Sequence, residues 1–463
     1  MCSFLLCCAV TAFGKTKVHS RRLFRFDQRN GYYPNALVQG TDGNFYGSTF
    51  GSVVGPPHHH YFTGGLVFRI TPNGELTTLY TFCLQANCPD GTAPYSHLVL
   101  AIDGNFYGTT GGGGANGLPG GTFFKITPSG ALTTIYSFCA LANCADGGYP
   151  GQLIQASDGN FYGTTIFGGA NANGTIFQIT PQGTLTILHN FCSLPNCADG
   201  TNANTGGIAV GLTEGTDGNF YGTTGFDAAH NNAGTVFKIT RQGELTTLYT
   251  FCSQPGCADG ENPIAGVMQA TDGNFYGTTY ANFGTLFRIT PAGALTTMHT
   301  FCCDDGYNPA TVPVQGADGN LYGTTSGTDY SITLSGTFQR LMYLSDTYAN
   351  PGSTLLQSTN GAFYGTTSRG SGYGTIYSMA VAGLGPFVET VQNSGKVGAS
   401  VMILGQGFTG TAGVSFNGAA ASYNVVSDTY LTAIVPAGAS SGSIVVTTPT
   451  GVLTSNKPFL VRQ

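Results

Sequence analysis

Short apolar runs alternate with Gly-rich and polar turns along nearly the whole chain, and one such pattern keeps returning. In one period, "HLVLAI" (residues 97–102) reads as a short apolar strand. Asp103-Gly104 reads as a two-residue hairpin turn, because Asp-Gly tolerates the positive φ angles of a type I′ turn. "NFYGTT" (105–110) is the second strand, a Gly-rich connection follows, and "TFFKIT" (122–127) is the third. Pro128-Ser129-Gly130 makes the next turn, with Pro fixing φ and Gly accepting a positive one. "ALTTIYSF" (131–138) is the fourth strand, its β-branched residues suited to a pleated surface. Four antiparallel strands per period predict one blade of a propeller.

The stretch "DGNFYGTT" marks the period. Exact copies begin at Asp103, Asp158, Asp217 and Asp272, and near copies at Asp42, Asp318 and Asn360. The successive starts lie 61, 55, 59, 55, 46 and 42 residues apart, a period that fits propeller blades. Phe and Tyr should point to opposite faces of the second strand and pack against neighbouring blades. The Gly after Tyr should leave room for close backbone approach. Seven copies therefore read as scaffold rather than as seven active sites.

The sixth period is complete, since "YSITLSGTFQRLMYL" (330–344) aligns without gaps to "FRITPAGALTTMHTF" (287–301). The seventh offers three strands, at 353–359, 363–367 and 375–380, and the missing fourth is supplied by "RRLFRF" (21–26). The expected fold is all-β: a seven-bladed β-propeller over residues 15–382, with its N-terminal strand beside 375–380 in the last blade, followed by a small immunoglobulin-like sandwich over 383–463. Ring closure of this kind removes exposed sheet edges. In the last segment, alternating apolar residues and regular turns support the sandwich.

The series "DGNFYGTT…GTxFxITPxGxLTTLYTF…DGxxP" resembles the GloVer tandem repeat of bacterial surface and secreted proteins, over roughly residues 21–381. "DGNFYG" is also similar to the "DGNLW" strand-turn of other propeller repeats. The C-terminal segment resembles an IPT/TIG immunoglobulin-like domain through Pro386, Gly395, "VMILGQGF" (401–408), "VSFNG" (414–418), "AIVP" (433–436) and "GSIVVTT" (442–448). The first resemblance implies export, often with a C-terminal sorting tail, and carries no established activity. Some IPT/TIG domains bind DNA; this one has only Lys396, Lys457 and Arg462 as basic groups and reads as a spacer or adhesion module.

Composition narrows the partners. Charged residues are 8% and the net charge of −6 is scattered, with no Lys/Arg run, so nucleic acid is not an expected partner. No apolar run reaches the roughly 18 residues that span a bilayer. Residues 1–14 read as a leader, apolar from Ser3 with small residues around Val10-Thr11-Ala12, as in a secretory signal; its lysines, Lys15 and Lys17, follow rather than precede it. Three of the 13 Cys (Cys2, Cys7, Cys8) lie there. The other ten form five close pairs: Cys83/Cys88, Cys139/Cys144, Cys192/Cys197, Cys252/Cys257 and Cys302/Cys303. One pair per repeat predicts local disulfides and an oxidising compartment, the last pair as a vicinal bond. Zinc would want a second pair or His close by. A secreted, monomeric bacterial protein is expected.

The two tight turns of each period share one face of the disc, so the long connections and every Cys pair occupy the other, where function is usually placed. The repeat is broken most at the seam between the seventh and first blades. Arg29, Tyr32 and Tyr33 follow the closing strand, His58, His59 and His60 sit in "PPHHHYF", and Arg369 and Tyr373 lie in the seventh blade. Guanidinium and imidazole groups there suit an anionic sugar or a peptide carboxylate, with Tyr as an apolar platform. The three His offer alternatively a metal site, or simply a solvated loop.

No catalytic residues are assigned. The spare carboxylates (Asp27, Asp227, Asp304, Asp329, Asp346, Asp428 and five Glu) show no pair that breaks the repeat as a glycosidase pair would. Arg69, Lys125, Lys238 and Arg288 share one repeated strand position and read as structural. No cofactor is expected. The turn Asp residues could ring the axis and bind Ca²⁺, but each is expected instead to cap its own turn. The expected function is binding or adhesion to an extracellular glycan or protein. The alternative is an extracellular carbohydrate-active enzyme, a glycosidase or lyase.

Overall fold

The computed structural model describes residues 16–27, 29–54, 61–201, 211–226, 233–344, 353–368 and 372–462. Residues 18–381 build seven antiparallel sheets. Five consist of four consecutive strands, as in Val99–Leu100, Phe106–Thr110, Thr122–Ile126 and Leu132–Ser137. The sheet of residues 32–81 follows the same path and adds two short strands alongside Phe45–Val54. The last sheet, Leu356–Gln357, Phe363–Thr367 and Thr375–Val381, takes its fourth strand from the other end of the chain. That strand is Val18–Arg25, three residues longer at its start than the expected 21–26, with Arg21 opposite Ser378 and Arg25 opposite Thr375.

The repeated letters translate directly into turns and packing. The Asp-Gly hairpin is not the expected two-residue type I′ turn. Gly104 N–H donates to Ala101 O, Ala101 N–H donates to Asn105 O, and among these turn residues only Gly104 has a positive φ, of 78°. This is a longer loop ending in a left-handed Gly, which frees Asp to be a cap. Asp103 accepts the Asn105 backbone N–H at 3.0 Å, its amide at 2.9 Å and the Tyr107 hydroxyl at 2.9 Å. Asp42, Asp158, Asp217, Asp272 and Asp318 repeat the set. The Gly after Tyr gives room to a ring, and in two copies to backbone as well: a Cβ on Gly108 would lie 2.7 Å from the Phe124 ring, and one on Gly277 2.8 Å from the Gly266 carbonyl oxygen.

Phe and Tyr of each copy face opposite ways, as expected. Tyr46 meets Phe106 at 4.2 Å, Tyr107 meets Phe161 at 4.4 Å, Tyr162 meets Phe220 at 4.1 Å and Tyr221 meets Phe275 at 3.9 Å. Tyr276 packs with Leu321, Tyr322 lies 4.3 Å from Phe363, and Tyr364 lies 4.1 Å from Phe45. Each sheet thus touches its neighbours in chain order, and the last touches the first, in a propeller-like arrangement.

A second repeated device ties the sheets together three residues before the turn Asp. The Gln155 side-chain oxygen accepts the Ile102 N–H at 3.0 Å, and Gln269, Gln315, Gln357 and Gln39 likewise hold a backbone N–H of the preceding sheet. Glu214 takes this place once, accepting the Ser157 N–H at 2.8 Å. Leu100 occupies the remaining position and makes no such bond.

Both exceptions meet the C-terminal module. Its two four-stranded sheets enclose a core that includes Val388, Ile403, Phe408, Phe416, Leu431 and Phe459. Leu404 of the module packs with Leu100, Leu98 and Tyr46. Arg462 reaches Glu214 at 3.2 Å, and Glu214 also pairs with Arg241, which stands where four other copies carry the Pro of Thr-Pro-x-Gly. Thr429 donates to the Thr41 carbonyl at 2.8 Å and Gln406 to Thr359 at 3.0 Å. All these contacts fall on the side of the tight turns, so the module covers the turn face.

Candidate functional site

On the opposite, loop-bearing side, the seam between the last and first sheets gathers aromatic rings. The Tyr33 N–H donates to the Tyr373 carbonyl at 2.9 Å, stitching the two sheets. Tyr32 lies 5.3 Å from Tyr33, 6.4 Å from Tyr373 and 6.2 Å from Phe50, and Phe50 lies 5.0 Å from Tyr95 of the second sheet. Tyr33, Tyr95 and Tyr373 are 38%, 41% and 37% exposed. The Tyr32 and Tyr95 rings lie across Gly51 and Gly111, where a Cβ would collide with them. Burial, then Tyr33, raises the pKa of Tyr32; burial, then Tyr149, raises that of Tyr95. Both stay neutral phenols, each an apolar face with one hydroxyl for hydrogen bonding.

Of the residues picked from sequence, Tyr32, Tyr33 and Tyr373 come together here. Arg29 is exposed nearby, in a turn where its N–H donates to Asp27 at 2.9 Å. His58, His59, His60 and Arg369 lie outside the described residues. Phe50, Tyr95 and Tyr149 were missed. Their signal was an aromatic directly after the "YGST" strand and beside the Pro that precedes the first strand of a period ("APY", "GGYP").

The cysteine loops share this face. Disulfides join Cys83 to Cys88, Cys139 to Cys144, Cys192 to Cys197 and Cys252 to Cys257. Each loop is also pinned by a carboxylate. Buried Asp146 accepts the N–H groups of Ala140 and Leu141 and the Tyr136 hydroxyl. Asp199 does the same with Ser193, Leu194 and His189. Burial acts to raise the Asp199 carboxyl, but the bonds from His189, Ser193 and Leu194 outweigh it and hold it at about 2. The expected vicinal disulfide between Cys302 and Cys303 is not formed. Cys302 is extended, with φ −166° and ψ 159°, and successive side chains of an extended chain point apart. Replacing Cys139 and Cys144 together by Ser should cost about 2 kcal/mol, the loop-closure value for so short a ring. Thermal or denaturant unfolding reads this, and a larger loss would mean that Asp146 cannot hold the loop alone.

The comparisons with known proteins agree with this geometry. The Gloeobacter/Verrucomicrobia repeat matches residues 10–213 and 142–328. The chain belongs to this repeat family. An IPT/TIG domain matches residues 386–461, the module on the turn face. No curated protein matches. Among solved structures, a streptogramin B lyase is 14% identical with a TM-score of 0.53, covering 79% of this chain and 98% of its own. An inactive virginiamycin B lyase from Staphylococcus aureus with quinupristin is 15% identical, TM-score 0.53, covering 79% and 99%. The extracellular domain of a one-component system from B. thetaiotaomicron is 12% identical, TM-score 0.50, covering 96% of this chain and 57% of its own. At such identities the likeness is one of fold: this member of the repeat family shares a propeller-like frame with them. No helix among its described residues is long and apolar enough to cross a membrane.

Proposed function

We propose that the protein is a secreted, non-enzymatic binding or adhesion protein: a closed ring of seven blades whose loop face takes up an extracellular glycan or protein surface. The observation that carries this reading is the division of the two faces. The module covers the turn face, while the loop face presents Tyr33, Tyr95 and Tyr373 around Phe50. Exposed aromatic groups held by a rigid frame are what sugar rings and protein anchors dock against. Disulfides and the export that the family resemblance implies support an extracellular place. The reading needs no cofactor.

A glycan array followed by titration tests it. Tyr33→Ala and Tyr95→Ala should each weaken the best ligand about tenfold, roughly 1.4 kcal/mol. Arg29→Ala with Arg369→Ala, and a triple His58/His59/His60→Ala variant, should weaken anionic ligands selectively. Binding indifferent to both Tyr changes would move the site off the seam. Turnover of a glycan, lost with a single carboxylate on this face, would favour an extracellular glycosidase or lyase.

A further inference from the structure

A cavity of about 480 Å³ lies on the axis, lined by the first strands of all seven sheets. Alternate residues of each strand face inward, so the lining repeats in pairs such as Ala36 and Val38, His97 and Val99, or Gln152 and Ile154. Each first strand leads into a tight turn. The first of each pair therefore stands toward the loop face and the second toward the module. At the module end, Glu389, Thr390, Val391 and Leu404 close the cavity. At the loop end, Ala36 of the first sheet and Gly211 of the fourth are the small residues of the rim, and the Gln152 side chain lies against Gly211.

The walls are mostly aliphatic, and among the described residues only two that line it are ionisable, His97 and Glu389. Burial lowers the pKa of His97, which keeps the imidazole neutral at pH 7. Burial raises that of Glu389, and the longer-range field of Lys457 pulls it back. Among the described residues, neither Lys nor Arg lines the cavity, and no hydrogen bond or close ion pair holds the Glu389 carboxylate. Glu389 is half-buried, without a direct hydrogen bond, at the end of a mostly aliphatic chamber, and an organic cation set against it would add to the field of Lys457.

We propose that this axial cavity binds a small organic cation with an apolar body, the charged group set against Glu389 and the body against Val38, Val99, Ile154, Met268 and Leu356. The volume falls within the roughly 300–1,000 Å³ of small-molecule sites. The proposal is independent of ligand binding at the aromatic seam, which shares none of these residues.

Calorimetric titration of the full chain with 4-phenylbutylamine, and with 4-phenylbutan-1-ol as its uncharged counterpart, tests it. The amine should bind one per chain and at least tenfold more tightly than the alcohol. Glu389→Gln should erase that preference, and Ala36→Trp, which fills the rim, should abolish binding while a wild-type melting temperature shows the fold intact. If Glu389→Gln does not fold, the amine–alcohol comparison and Ala36→Trp still decide. No binding of the amine, equal affinity for amine and alcohol, or binding unchanged by Ala36→Trp overturns the proposal.

Discussion

Replacing Asp329 by Leu is expected to stabilise the protein above neutral pH and to remove a pH dependence between about 4 and 7. Asp329 is fully buried at a strand position that the other six sheets fill with Val67, Phe123, Ile176, Val236, Leu286 and Ile376. The Tyr377 hydroxyl donates to one carboxylate oxygen at 3.1 Å; among the described residues the other oxygen has no partner, nor does the buried Tyr330 hydroxyl. Burial pushes the Asp329 carboxyl from 3.8 up to about 7, with the Tyr377 bond opposing. Below about pH 4 the group is protonated folded and unfolded alike. Between 4 and 7 the unfolded chain ionises and the folded one does not, so stability falls as pH rises and levels off above 7. The full swing is about 4 kcal/mol. Leu alone strands the Tyr377 hydroxyl at roughly 1–3 kcal/mol, so Asp329→Leu with Tyr377→Phe should recover more of it. Melting temperatures from pH 4 to 8 measure this. Lowered groups such as His97 slope the other way, so the wild-type-minus-variant difference is the quantity to read. A difference that does not grow with pH would refute the assignment.

Removing residues 1–26 should have the larger structural effect. The deletion strips Val18–Arg25 from Thr375–Val381 and leaves that strand as an open edge, prone to pairing with other chains. It also removes Phe26, 2% exposed, which lies 5.5 Å from Phe68 of the first sheet. Phe26→Ala alone should cost about 3–5 kcal/mol, as for buried aromatic truncations generally. The full deletion should abolish a single cooperative melt and produce dimers or aggregates in size-exclusion chromatography. An unchanged melting temperature would show that the strand is ornamental.

Much of this fold was legible because the chain states each rule several times. Turn Asp, hairpin Gly and the Phe-Tyr pair act within one period or between adjacent ones, so repetition exposes their roles. What stayed hidden were single departures inside otherwise regular strands. Asp329 was visible as a spare carboxylate, but the gap-free match of the sixth period began at Tyr330, one residue short of showing that Asp329 replaces a core aliphatic. Leu100, Glu214 and Arg241 looked like ordinary variation, since their meaning depends on a module more than a hundred residues away in sequence. At the candidate site, Tyr32, Tyr33 and Tyr373 were found because the seam is a topological feature. Phe50 and Tyr95 were missed because one lies within a repeated strand of the first sheet and the other in the segment leading to the second.

The antiparallel register of Val18–Arg25 with Thr375–Val381 also sets a timetable. The first of the described strands to be synthesised belongs to the last of the seven sheets to be finished. At roughly 5–20 residues per second, it waits on the order of 20–70 s for its partner to be made. During that wait, six sheets can form in order while the first strand remains an unpaired ribbon. The two ends of this series of sheets can therefore be joined only when the last sheet arrives.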